Sequence, residues 1–414
     1  MRQIFTLILF AFVFFGCTQK QVVELKLPNK NKIQKVVKPT VPKDEDTVTV
    51  VEEFVPIDIK ENDSKTPAPS EVISPSSAVP TISNETSVDL ELDSSEPIID
   101  NKGALQIDGD KAKMQIAFIY PSTLVSKYAR GSLNTISGYF SYQKTEYNLL
   151  VIDCENENYD SINSAFSKIK QQGIKNVVAL LTPNSLNSLN KIVSDDLKVY
   201  LPLIEKKDSL ENNDNLIFGS ISYDEQLKKL SDYSIGNNAM FYQESYLGNK
   251  LRKSYDSLVP NTNVKKEIKK SETNFKSIVG DSRLNNSSLF LNTDVVKSAL
   301  ILSQLRSYDI YPKIIFSTQL NYDPMLMSLT QEKDREKLVI ANSIDTVNSK
   351  LKDEISNFGG NIIYEWVDYS TLVGINYLYN SGNSSLISTQ IIDNQVVYTP
   401  KLFKSTEIGF LEIK

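Results

Sequence analysis

Met114-Gln115-Ile116-Ala117-Phe118-Ile119-Tyr120 decides the fold, and Tyr147-Asn148-Leu149-Leu150-Val151-Ile152-Asp153 repeats its pattern. Both are almost continuously apolar, as strands covered on both faces must be. Shorter runs of the same kind occur at 176–181, 197–201, 215–218, 238–242, 287–291, 312–316 and 337–341. Helical patterns separate them. Ile162, Ala165, Phe166 and Ile169 recur at helical spacing, and Gly173 suits the C-terminal cap. Residues 295–305 read the same way, as do 345–358, closed by Gly359-Gly360. Strands alternating with helices imply right-handed crossovers and parallel sheets flanked by helices, an α/β fold. From Met114 onward about 300 residues remain, enough for two lobes with separate cores.

The chain before Met114 has a different composition. Residues 18–112 hold nine of the 16 prolines and only Phe54 among aromatics, whereas all 20 tyrosines and Trp366 come later. A segment so poor in large apolar groups cannot offset its ordering entropy and is expected to stay disordered. It runs from a basic part (Lys20, Lys26, Lys30, Lys32, Lys35, Lys38) to an acidic one (Asp89, Glu91, Asp93, Glu96, Asp100). As a flexible coil its roughly 95 residues would span about 50 Å or more. A passive spacer is one reading; a basic stretch touching a polyanionic surface is the other.

The first residues form a short apolar run, Ile4 to Phe15, after Arg2 and before Gly16-Cys17. The run has the length of a signal-peptide core and is too short to span a bilayer comfortably. Phe14-Phe15-Gly16-Cys17 resembles the lipobox of bacterial lipoproteins, which implies cleavage after residue 16 and lipidation of Cys17. Acyl chains would then anchor the protein to a membrane. Thr18 in place of Asp implies, by the same resemblance, the outer membrane facing the periplasm.

Composition removes whole classes of chemistry. The formal charge is −6, and without Arg2 the mature chain stands near −7, so no nucleic-acid partner is expected. The absence of histidine removes Ser-His-Asp and Cys-His nucleophilic systems and His-ligated zinc. With Cys17 lipidated, Cys154 is the one remaining thiol, leaving neither an internal disulfide nor a Cys-rich metal site. Cys154 follows an apolar strand, so a shielded thiol is the plain reading and a reactive one the alternative. Neither G-x-G-x-x-G nor a Walker pattern is present, so no cofactor is expected. Ser-x-x-Lys occurs at Ser141–Lys144, Ser188–Lys191 and Ser349–Lys352, as chance allows in so Ser- and Lys-rich a chain, with no Lys-Thr-Gly or Ser-Asp-Asn to accompany it. The sequence therefore offers no catalytic residue, and no enzyme is expected.

Several stretches together resemble the type I periplasmic binding proteins, the branched-chain amino-acid receptor class. Ile116 to Ser122 is similar to their first strand and loop, and Leu149 to Asp153 to the second strand. Asn238 to Gly248 is similar to the opening strand and helix of the second lobe. Phe290 to Ser317 is similar to a strand–helix–strand unit, and Tyr369 to Asn376 to the late helix that returns to the first lobe. The resemblance implies a bilobed domain over 113–414, with lobe one at about 114–222 plus 358–400 and lobe two at about 236–342. With signal (1–16), anchor and linker (17–112), it is also similar to the lipoprotein activators of penicillin-binding proteins. Those imply a non-enzymatic regulator that binds a peptidoglycan synthase or another envelope protein. The alternative is a lipid-anchored receptor for an amino acid or peptide-like solute.

If a ligand binds, it should sit between the lobes at the carboxyl ends of strands. Position then nominates Ser122 and Thr123, Thr182, Asn184 and Ser185, Gln243 and Glu244, and Asn292, Thr293 and Thr318. Leu181-Thr182-Pro183-Asn184-Ser185 is similar to a receptor loop whose hydroxyl and amides hold a carboxylate. Against this, Tyr120 to Val125 lacks the Ser-Gly of the receptor loop, and Asn184, Ser185, Thr293 and Asp294 could be helix N-caps. Trp366 reads as core or interlobe packing. A polar, roomy cleft with convergent hydroxyls would favour the receptor, and a filled, apolar seam the scaffold.

Overall fold

The computed structural model describes residues 98–99, 104–107, 114–382 and 384–413. The expectations for Cys17 and for most of the linker lie outside these residues. Among the described residues sixteen strands form two sheets. The first contains β1 (Ile98–Ile99), β2 (Ala104–Ile107), β3 (Met114–Tyr120), β4 (Tyr147–Asp153), β5 (Asn176–Ala179), β6 (Lys198–Leu201), β7 (Leu216–Phe218), β13 (Gln390–Ile392) and β14 (Gln395–Val397), in the order β1-β2-β4-β3-β5-β6-β7-β14-β13. The second contains β8 (Asn238–Gln243), β9 (Thr262–Ile268), β10 (Ser288–Asn292), β11 (Ile314–Ser317), β12 (Leu338–Asn342), β15 (Lys401–Ser405) and β16 (Phe410–Ile413), in the order β16-β15-β12-β11-β10-β8-β9.

Both sheets are parallel at their centres, and antiparallel pairs close three of the four edges; β9, the outer strand of the second sheet, pairs parallel with β8. β3 runs parallel to β4 and β5, and β10 parallel to β8 and β11, as the apolar runs predict. The edges differ from expectation. Two short strands, β1 and β2, fall inside the predicted linker, and β2 pairs antiparallel with β4, covering an edge that would otherwise be open. β15 and β16 carry the C-terminus into the second sheet, outside both lobe ranges drawn from the sequence.

The helices are α1 (Ser122–Gln143), α2 (Tyr159–Gln171), α3 (Leu186–Ile192), α4 (Tyr223–Ser231), α5 (Tyr246–Leu258), α6 (Lys276–Val279), α7 (Val295–Ser307), α8 (Met325–Leu329), α9 (Glu332–Arg335), α10 (Ser349–Asn357) and α11 (Trp366–Asn380). Strand alternation sends Ile116 and Phe118 to one core, with Tyr139, Phe140 and Leu372, and Ala117 and Ile119 to another, with Ile162 and Phe166. Ser122 and Thr123, expected in a loop, are the first turn of α1. Pro121 caps that helix, and proline's fixed φ allows the turn to start directly after β3. The helix expected over 345–358 begins only at Ser349, where the Asn348 side chain accepts the Lys350 amide.

The chain crosses between the sheets three times, after β7, β12 and β14. Hydrogen bonds tie these crossings together. Gln226 donates to the Ser343 hydroxyl (2.7 Å) and accepts from the Gln319 amide (2.8 Å), while the Ser343 amide donates to the Gln319 side chain (2.8 Å). The Tyr398 hydroxyl donates to the Gly219 carbonyl at 2.6 Å. Each is buried or half-buried, where low dielectric strengthens a hydrogen bond.

Candidate functional site

The strand order reverses at β3/β5 in the first sheet and at β8/β10 in the second. Such reversals open a crevice at the carboxyl ends of strands. A cavity of about 450 Å³ lies there. Leu124 and Tyr128, one helical turn apart on α1, form part of its first wall with Thr182, Pro183 and Asn184 after β5. Leu203 and Ser220, after β6 and β7, complete that wall. Opposite stand Tyr246, Leu247 and Lys250 of α5, with Leu320 after β11. Tyr223 and Trp366, the first residues of α4 and α11, also line the cavity. Its volume falls in the range of small-molecule sites, as does its largely apolar and aromatic wall with a few polar groups.

The polar groups in the wall are mostly engaged by the protein itself. Glu157 accepts from both the Thr182 amide and the Thr182 hydroxyl, each at 2.5 Å. Partial burial pushes the Glu157 carboxyl above its ordinary value, and the Thr182 bonds oppose that shift. Lys250 donates to the buried Glu205 at 3.1 Å and lies 3.5 Å from Asp208. Lys207 reaches Glu205 at 2.9 Å and Asp224 at 2.5 Å, so this cluster ties α5 to the segment after β6. Burial, then the neighbouring Tyr128, Glu205 and Glu365, push the Tyr223 hydroxyl well above its ordinary range. Partial enclosure, with Asp323 beside it, pushes the Glu365 carboxyl up while Lys127 opposes.

Of the residues nominated from sequence, Thr182 and Asn184 line the cavity. The others serve local structure. The Ser122 amide donates to Asp153 (3.0 Å) and the Thr123 hydroxyl to the Glu155 carbonyl (2.5 Å). The Ser185 hydroxyl donates to the Thr182 carbonyl at 2.7 Å rather than capping a helix. Gln243 accepts the Asp294 amide (2.9 Å) and Glu244 the Lys270 amide (3.4 Å). Asn292, Thr293 and Thr318 are buried at the strand ends of the second sheet, where Thr293 pairs with Ser298 and Thr318 with Asn292. Among the expected caps only Asp294 acts as one, accepting the Lys297 amide at 2.9 Å. Asn292 Nδ2, Gln319 Nε2 and Asn321 Oδ1 are buried there without a partner among the described residues, a pattern that bound water resolves. Trp366 packs between cores of both sheets and also lines the cavity.

The aromatic wall was missed in sequence because Tyr128, Tyr223 and Tyr246 look like helix residues. The signal available was their place in the first two turns of helices that follow strands. A second cavity, about 490 Å³, lies beneath residues 382–391 against α11. One stretch of chain, Val373 to Ile391, supplies its wall, and it does not adjoin the facing strand ends. No group of His, Cys, Asp or Glu suited to a metal is present among the described residues. No helix among them is long and apolar enough to cross a membrane.

Cys154 is buried, 6 % exposed, in the core between the first sheet and α2. Burial and the adjacent Asp153 push its thiol up to about 12. Native protein should therefore react with maleimide only as fast as it opens, and urea should accelerate labelling sharply. Stoichiometric labelling within seconds under native conditions would contradict this burial.

No family model matches the chain, and no curated protein matches it. Solved structures do. The substrate-binding protein LivJ from Streptococcus pneumoniae, solved with isoleucine, superposes with a TM-score of 0.53 at 11 % identity, covering 73 % of this chain and 100 % of that one. A branched-chain amino acid ABC transporter protein from Thermus thermophilus with bound valine gives 0.54 at 11 % identity, covering 74 % and 96 %. An ABC transporter substrate-binding protein from Sphaerobacter thermophilus gives 0.57 at 8 % identity, covering 73 % and 96 %. The described domain thus has the type I periplasmic binding protein fold.

Proposed function

We propose that this domain is a solute receptor that holds a small molecule in the cleft between its two sheets. The observation that carries the reading is the cavity of about 450 Å³, lined from both sheets at their strand ends. The sequence placed an envelope-protein partner first. The open volume between the sheets favours the reverse order, since a filled seam is the expectation for a scaffold, while the wall is more apolar than the convergent hydroxyls expected of a receptor. Fold likeness to proteins named for amino-acid transport supports the same order. A lipid on Cys17 and the segment 18–112 would hold the receptor to the membrane while leaving it reach. Recognition rather than transformation is the proposed task.

A thermal-shift panel of amino acids, amines, short peptides and muropeptides tests this. A solute at 100 times its Kd should stabilise the full chain by about 2.7 kcal/mol. Leu124→Trp, at an exposed position in the wall, should fill the cleft and abolish the shift without lowering the unliganded Tm. A panel that shifts neither protein, or both equally, would overturn the receptor reading.

A further inference from the structure

The wall of the cleft also states which ligands it suits. Two features there are built to hold an anion, and the chain's own carboxylates occupy both. The amide and hydroxyl of Thr182 form a paired donor site, filled by Glu157. Lys250, the one cation in the wall among the described residues, is paired with Glu205 and Asp208. An incoming carboxylate would have to displace a bonded carboxylate at either place, and would meet the field of the others.

What remains open is aromatic. Tyr128, Tyr223, Tyr246 and Trp366 all line the cavity. Ring faces attract ammonium groups, most strongly where water is excluded, and aromatic side chains around a pocket are the usual means of holding quaternary ammonium ligands. Glu205 is already neutralised by Lys250 and Lys207, so the rings carry the attraction. The protein already displays the chemistry at this place. The Lys127 ammonium lies 4.4 Å from the Tyr128 ring centroid and stabilises the charged form of Glu365. A neutral apolar ligand would find Leu124, Leu203, Leu247 and Leu320, but it would leave the ring faces unused.

We propose that the cleft selects a compact organic cation, a substituted ammonium with an apolar body, and rejects ligands that present a free carboxylate. This rests on the solute-receptor reading above. Calorimetric titration of the full chain tests it with three probes: choline, its uncharged isostere 3,3-dimethyl-1-butanol, and L-isoleucine. Choline should bind at least about tenfold more tightly than the alcohol, and isoleucine should give no binding heat. Tyr246→Ala, at a ring 76 % exposed to solvent, should weaken choline several-fold with the Tm unchanged. Lys127→Met, which removes the competing ammonium from the exposed edge of α1, should strengthen it, a gain that loss of structure cannot produce. Equal binding of choline and the alcohol would overturn the cation assignment. So would isoleucine binding that Leu124→Trp abolishes, and that result would leave the receptor reading standing. Absence of heat from all three probes into the millimolar range also overturns the assignment, and the broader panel then decides the receptor reading separately.

Discussion

Gly374→Ala should cost about 2 kcal/mol of stability, read as a lower urea midpoint of the full chain with unchanged slope. Gly374 lies in α11 where the helix passes over Tyr200, and a Cβ there would stand 2.2 Å from the Tyr200 ring. Tyr200 has little room to give. It is fully buried, its hydroxyl lies 3.1 Å from Ser370 Oγ, and Gly219 closes the other end, with a Cβ position 2.3 Å from the same hydroxyl. Overpacking of this kind costs up to about 3 kcal/mol, and the gain in helix propensity from Gly to Ala returns about 1 kcal/mol. Gly409→Ala, where a Cβ meets nothing within 4 Å, is the control and should be close to neutral. Combining Gly374→Ala with Tyr200→Leu should restore part of the loss, because the two sites are in contact. Additive losses would show that the helix does not approach Tyr200 as described.

The second large effect concerns pH. Asp368, in the first turn of α11, is 4 % exposed and its carboxylate packs against Gly131 of α1. Burial pushes its carboxyl up from 3.8 to about 7, opposed by the hydrogen bond from the Asn361 amide and helped by Glu365. The folded state therefore keeps a proton that the unfolded chain releases near pH 4. The stability linked to that proton is fully present below about pH 4 and is lost as pH rises to about 7, by at most about 4 kcal/mol. Asp368→Asn keeps the shape and removes the titration. The difference in urea midpoint between variant and wild type should swing toward the variant between pH 5 and pH 8. Parallel pH curves for the two proteins would show that Asp368 is not held protonated.

The centre of each sheet was legible in the sequence, and the edges were not. Met114–Tyr120 and Ser288–Asn292 announce themselves because covering both faces demands an unbroken apolar run. Thr262–Ile268 hides because it is an edge strand with Lys265, Lys266 and Glu267 in its second half, which blunts pairing with other chains. The hairpin of β13 and β14 is three residues a side around Asp393-Asn394, too short to show a period of two. In the site, position relative to strand ends nominated Thr182 and Asn184, which line the cavity. Asn292, Thr293 and Thr318, nominated in the same way, are buried, while Leu320, Leu247 and Tyr246 form the cavity wall. Sequence spacing gives the end of a strand but not the depth at which its last side chains lie. Glu157 was invisible for a related reason: it meets Thr182 from 25 residues away, through a loop contact that no local pattern encodes.

The central claim is that one small molecule touches both sheets at once. Amide hydrogen exchange on the full chain, with and without the best-binding solute of the panel, tests it most directly. The account predicts slower exchange together in 182–186 of the first lobe, 246–250 of the second and 366–369 at the start of α11. Protection confined to 382–391, over the second cavity, or to one lobe alone, would contradict it.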